Sequence, residues 1–158
     1  MATDVDKIYG NRLRVRACGL LVENDALLLV NHRSLTASDF WSPPGGGLNF
    51  GESARMGLKR ELKEETGLDV DVLDFLFTSE FIHPPLHAIE LFFLIKRVAG
   101  SLKRGSDPEM AEENQIIQQV AYLTWEAIGK LNPRNLHGIF RQVDDPRQII
   151  GLRGYFEV

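Results

Sequence analysis

Residues 53 to 67 constrain this chain more than any other stretch. Ser53 is a residue type that caps a helix by accepting a backbone N–H from its first turn, and Gly67 is the type that ends one in a left-handed conformation. Between them Ala54, Leu58 and Leu62 recur at four-residue spacing, so a helix running to about Thr66 buries one face against a core. A second face carries Glu61, Glu64 and Glu65 at i, i+3 and i+4, which places three carboxylates within about one turn. Each like-charge pair at that spacing costs on the order of 0.2–0.5 kcal/mol in an isolated helix, and more when desolvated. A hard divalent cation would offset this repulsion. The donors are all oxygen, no cysteine is near and the histidines lie outside the helix, which favours Mg²⁺ or Mn²⁺ over zinc.

A helix with one apolar stripe needs a partner layer, and the flanking sequence supplies strands. Arg12, Arg14 and Arg16 alternate with Leu13, Val15 and Ala17, a half-buried strand that turns wholly apolar by Leu20. Glu23-Asn24-Asp25 then offers turn residues before Ala26 to Val30, so the two runs are expected to form a hairpin. From Leu35 to Gly47 a loop is expected, because Pro43-Pro44-Gly45-Gly46-Gly47 excludes regular helix. Leu68 to Phe77 and Ala88 to Val98 read as strands around a loop from Phe81 to Leu86, and a third late strand is expected at Ile116 to Leu123. Thr124 caps a short helix, Trp125 to Leu131, which stops before Pro133, and a last helical turn is expected around Leu136 to Val143.

This order describes an α/β chain of the α+β type, with a mixed sheet between helical layers. At 158 residues, 44% hydrophobic and 25% charged, residues 1–158 suffice for one domain with its own core. A net charge of −4 provides no global field for a nucleic acid polymer or an anionic membrane, so an anionic ligand needs local cations. The single cysteine, Cys18, excludes an intrachain disulfide or a cysteine metal cluster and reads as a core residue; a reducing, cytoplasmic setting is expected. Met1 to Lys7 is polar and the run from Ala17 to Val22 is too short for a signal or a span.

From Gly46 the chain reads Gly46, five residues, Glu52, seven residues, Arg60-Glu61-Leu62, one residue, Glu64-Glu65, one residue, Gly67-Leu68. Every position of the Nudix box is matched, and the chain resembles the Nudix hydrolase family. The resemblance implies the Nudix fold, bound Mg²⁺ or Mn²⁺, and hydrolysis of a nucleoside diphosphate linked to another group. Carried over by position, Glu61, Glu64 and Glu65 are the expected metal ligands, with a backbone carbonyl at Gly45 or Gly46 as a further one. Arg60 resembles the arginine that holds a glutamate in place, either Glu52 or Glu61, and the general base is expected to be Glu64 or Glu61. Glu112 and Glu113 are candidates for an outlying ligand or base. Pro84 lies sixteen residues beyond Leu68, a spacing that resembles the ADP-ribose-hydrolysing subgroup and favours ADP-ribose or a nucleoside diphosphate sugar. Nucleoside triphosphates, dinucleoside polyphosphates and a non-catalytic nucleotide-binding regulator are the alternatives.

Outside the box, Arg14, Arg16 and Arg33 are candidates to meet substrate phosphates in an acidic protein. Phe40 and Trp41 are candidates to stack on a base, and His83 and His87 to titrate beside a phosphate. A homodimer is considered, with the apolar run Leu91 to Ile95 as a contributor.

Overall fold

A computed structural model of the chain describes residues 4–33, 39–106, 108 and 115–158; Glu112 and Glu113 lie outside the described residues. In order the elements are α1 (Asp4–Tyr9), β1 (Arg12–Leu20), β2 (Val22–Glu23), β3 (Ala26–His32), β4 (Phe40–Ser42), β5 (Gly45–Gly47) and α2 (Ala54–Thr66). They continue with β6 (Leu68–His83), β7 (Leu86–Gly100), β8 (Ile117–Thr124), α3 (Trp125–Lys130) and β9 (Gly154–Glu157), with 3₁₀ turns at Pro133–Asn135, Gly138–Gln142 and Pro146–Gly151.

The strands make two sheets. One is mixed, in the order β5-β1-β7-β6-β9, with β1 parallel to β7 and β9 parallel to β6. The other is antiparallel and centred on β3, which pairs with β8 along one edge and with β2 and β4 along the other. The fold is α+β, as the sequence leads one to expect, with the second sheet added to the mixed one. The expected hairpin is reduced to its tip: only Val22 and Glu23 pair with β3, through Asn24 and Asp25 at positive φ. The rest of β1 belongs to the mixed sheet, where β5 and β7 take its two edges.

Two further expectations are corrected. Gly45–Gly47 is a strand rather than loop, because glycine lets the chain lie against β1: a Cβ on Gly45 would fall 2.1 Å from the Ala17 carbonyl oxygen. The loop expected from Phe81 to Leu86 shrinks to Pro84-Pro85, since a proline costs no ladder bond when it sits at the turn itself. Strand pairing therefore continues to His83 and resumes at Leu86.

Burial follows from this layering. Successive β3 side chains point to opposite faces, so Leu27 and Leu29 enter a core between the sheets while Leu28 enters a second core beneath α2. Leu58 and Leu62 fill that second core and are wholly buried, with half-buried Ala54 at its edge. Cys18 lies in the first core. The run Leu91 to Ile95 is flanked by β1 and β6, with Phe92, Phe93 and Ile95 packed into the two cores and Leu91 and Leu94 partly buried against them. No helix of the described residues is long and apolar enough to cross a membrane.

Candidate active site

Helix α2 begins and ends where its capping residues dictate. Ser53 Oγ accepts from the Met56 N–H at 3.2 Å, and Gly67, at φ 75°, donates its N–H to the Lys63 carbonyl. Gly57 permits the preceding loop to lie on the helix, for a Cβ there would stand 2.9 Å from Glu52 Oε2.

Arg60 is the hub of the acidic face. Its Nε and Nη2 donate to the two oxygens of Glu52 at 2.8 and 3.0 Å, the bidentate geometry that suits a guanidinium. Nη2 also donates to the Gly47 carbonyl, while Nη1 donates to Glu61 Oε1 at 2.9 Å and Glu64 Oε2 at 3.2 Å. Of the two partners expected for Arg60, both are engaged, and Glu64 joins them. The Arg60 hydrogen bond holds the Glu52 carboxyl below the usual range. Burial pushes the Glu61 carboxyl up, against the opposing pull of Arg60. Glu65 faces the other way, its Oε2 accepting the Gly45 N–H at 2.9 Å. Gly46 has no room for a side chain, since a Cβ would lie 2.3 Å from the Glu61 carboxyl carbon.

Among the described residues no three His, Cys, Asp or Glu side chains converge as a ready cation cage. The reason is visible in the bonds: Arg60 gathers Glu61 and Glu64, and the Gly45 N–H gathers Glu65. The donor chemistry nonetheless fits a hard divalent ion. Glu61, partly desolvated beside a second carboxylate, is held with a raised proton affinity that a cation would relieve.

These carboxylates, with Gly45 to Gly47, form one wall of a cavity of about 560 Å³, within the range of small-molecule sites. Its floor holds a row of registered residues across the mixed sheet, Gly47 on β5, Arg16 on β1 and Glu90 on β7; Ser79 on β6 is next in register but is wholly buried and does not line the cavity. Two inter-strand steps separate Gly47 from Glu90, about 10 Å. The β6–β7 hairpin supplies a further wall through Phe81, His83, Leu86 and His87, and Phe40 and His32 line the side given by the second sheet.

The expected substrate residues divide. Arg14, Arg16 and Arg33 all line the cavity, Arg14 stacking over the Tyr9 ring at 4.1 Å. Phe40 lines it too, with the His32 ring edge-on at 5.4 Å. Trp41 does not: it is buried in the core between the sheets, because successive strand residues point to opposite faces. Pro84 is absent from the lining, although His83 and Leu86 on either side of its turn belong to it. His87 Nε2 donates to the Glu80 carboxylate at 2.7 Å.

Sequence reasoning missed Glu90 and His137. Glu90 reads in the sequence only as an interruption of an apolar run. Here its Oε1 accepts from Arg16 Nη1 at 2.6 Å and its Oε2 from Ser79 Oγ at 3.0 Å, with His137 Nε2 at 2.6 Å. Burial by itself would raise this carboxyl, but His137, joined by Arg16 and Ser79, holds it down at about 2. An acid amid apolar strand residues was the available signal; its partner Arg16 lies 74 positions away. Burial lowers His32 to about 4, so it is neutral near pH 7.

Fold and cluster together define a small catalytic-type domain whose acidic helix lies across a mixed sheet. The family profile described as NUDIX domain matches residues 11–142, and the chain belongs to the Nudix family. It is 31% identical over 96 residues to an ADP-ribose pyrophosphatase of Methanocaldococcus jannaschii, a match covering 60% of this chain and 57% of that protein. It is 33% identical over 94 residues to an 8-oxo-dGTP diphosphatase of Proteus vulgaris, covering 57% and 84% respectively. The crystal structure of a MutT protein from Methanosarcina mazei Go1 superposes with a TM-score of 0.66 at 23% identity, covering 84% of this chain and 90% of that one. The chain thus spans little more than half the length of the archaeal relative.

Proposed function

We propose that this chain is a divalent-metal-dependent pyrophosphohydrolase acting on a nucleoside diphosphate linked to a second group, with ADP-ribose or a nucleoside diphosphate sugar preferred. The observation that carries the reading is the Arg60 cluster, in which one guanidinium presents Glu61 and Glu64 on the wall of the cavity. Glu61, Glu64 and Glu65 would hold Mg²⁺ or Mn²⁺, with a carbonyl of the Gly45-Gly46 strand as a further donor. When bound, the ion neutralises phosphate charge and lowers the pKa of a coordinated water.

The chain's own residues supply the rest. Arg60 fixes the carboxylates, so that their geometry is set before substrate arrives and little reorganisation is left for the reaction. Glu64, at 29% side-chain exposure, is more accessible than Glu61 at 15% and is the better placed to take a proton from water. Arg14, Arg16 and Arg33 provide the local cations that a protein of net charge −4 needs to attract a diphosphate. Phe40 is the candidate base-stacking ring in place of Trp41. The relative named as an ADP-ribose pyrophosphatase supports that class. The 8-oxo-dGTP diphosphatase relative supports a triphosphate as the second reading.

Side-by-side kcat/KM for ADP-ribose, nucleoside diphosphate sugars, a dinucleoside polyphosphate and the common nucleoside triphosphates in Mg²⁺ tests the proposal. ADP-ribose or a diphosphate sugar is expected to lead. A triphosphate preference of about tenfold, ~1.4 kcal/mol in barrier terms, would replace it with the second reading. Absence of turnover on every class would leave a nucleotide-binding regulator.

A further inference from the structure

Glu90 is a charged side chain with only 2% exposure, and every bond it makes serves one arrangement. The parallel register of β1 and β7 sets Arg16 directly beside it. Its second oxygen is held from two other elements, by the Ser79 hydroxyl on β6 and by His137 after α3. The ring of His137 is itself oriented: Nδ1 accepts the Ile139 N–H at 3.2 Å, so Nε2–H is left to donate a hydrogen bond to Glu90. The backbone N–H of His137 donates to the Trp41 carbonyl, which ties the clamp to the core between the sheets.

Arg16 is therefore held at one end and incomplete at the other. Nη1 is bound to Glu90, and Nη2 reaches the Gly45 carbonyl at 3.3 Å, on the residue whose N–H holds Glu65. Its Nε is buried and has no hydrogen-bond partner among the described residues. Buried donors left without an acceptor are rare in folded proteins. Arg16 also lines the cavity, and its neighbours across β5 are the carboxylates of α2. A guanidinium free to move there would be drawn onto Glu61 or Glu65; Glu90 competes for it and keeps it one strand away.

We propose that Glu90 is a positioning residue which, clamped by Ser79 and His137, holds the partly exposed Arg16 side chain on the cavity wall, where its guanidinium meets a phosphate oxygen of the substrate. The inference rests on the reading that the cavity takes a nucleoside diphosphate. It assigns the row of the floor a division of labour: one phosphate lies at the carboxylate wall and the next lies over Arg16. Lysine at position 16 could carry the charge but not the directed fork of donors.

Titration calorimetry with ADP and with adenosine, both in EDTA so that metal-dependent turnover is stopped, tests this directly. Arg16→Gln and Glu90→Gln are expected to weaken ADP binding by about tenfold or more while changing adenosine affinity by less than about twofold. Arg16→Lys is expected to restore part of the loss, and Ser79→Ala, which removes one clamp bond without stranding a charge, to weaken ADP by about threefold. A general loosening of the pocket would lower both affinities together, and that result overturns the proposal. So does ADP affinity within about twofold of wild type in folded Arg16→Gln, or failure of the wild-type chain to bind ADP. Should Glu90→Gln not fold, the Ser79→Ala and Arg16 pair decide. A chain that binds ADP through Arg16 yet hydrolyses no nucleotide in Mg²⁺ would end the hydrolase reading and leave this one standing.

Discussion

Arg60 illustrates how much a single side chain organises here. It bridges three carboxylates, of which Glu52 and Glu61 have side chains only 14% and 15% exposed. Removing it strands partly buried charge, which costs more than the pair contributes when intact. Arg60→Ala is therefore expected to destabilise the fold by about 2 kcal/mol in urea denaturation. Glu64→Gln should behave oppositely: it removes one like charge from the helix face, so apo stability holds or rises, while kcat falls by more than about tenfold, ~1.4 kcal/mol. A folded Glu64→Gln retaining more than a tenth of wild-type kcat would remove Glu64 from the machinery. Glu90 makes a pH prediction. Its carboxyl lies at about 2 against an ordinary 4.5, so the stabilisation it contributes is fully present above pH 4.5 and is lost as the pH falls towards 2. Denaturant midpoints measured across that window should slope less steeply in Glu90→Gln than in wild type.

Elements differ in how far the sequence exposes them. Helix α2 is legible to the residue because its caps, its apolar stripe and its acidic face are all local. Thr124 is equally legible, its hydroxyl accepting from the Ala127 N–H at 3.2 Å as a cap should. Strand β5 is hidden, since three glycines carry no side-chain periodicity and their extended conformation is decided by the neighbouring β1. Strand β9 is hidden for a related reason: Gly154 to Glu157 is short and half exposed, and pairs with β6 only because that edge is free in the folded sheet. The Glu90 clamp is long-range in the same sense, joining β1, β6, β7 and the turn after α3. Glycine geometry offers a test at this scale. Gly45→Ala would drive a methyl into the Ala17 carbonyl, whereas Gly151 has nothing within 4 Å of the added atom. Gly45→Ala is expected to lower the melting temperature by several degrees, at about 2–4 °C per kcal/mol for a domain of this size, and Gly151→Ala to leave it nearly unchanged. Equal melting temperatures for the two variants would mean that β5 is not held against β1 as described.

At the scale of the molecule, the two sheets and α2 meet so that attraction for anions and for cations is built into adjoining parts of one cavity. Arg14, Arg16 and Arg33 lie on its walls, and Glu61, Glu64 and Glu65 line another part of the same space. Neither group is self-sufficient: Arg60 offsets only part of the carboxylate charge, and Glu90 offsets only Arg16. A native state with such an imbalance is stabilised by whatever ion completes it, and the unfolded chain, lacking the helical spacing of the three glutamates, binds that ion far less well. Under the hydrolase reading Mg²⁺ or Mn²⁺ at about 100 times its Kd should then stabilise the fold by ~2.7 kcal/mol, which for this chain length raises the melting temperature by about 5–10 °C. Gly46→Ala gives the structural control, because its methyl would press on the Glu61 carboxylate and spoil the donor set without removing a charge. Its metal-induced shift should be much smaller than that of wild type, and Zn²⁺ should not be needed for either. A melting temperature indifferent to Mg²⁺ and Mn²⁺ in the wild-type chain would show that Arg60 alone satisfies the acidic face, and that the cavity binds its ligand without a metal.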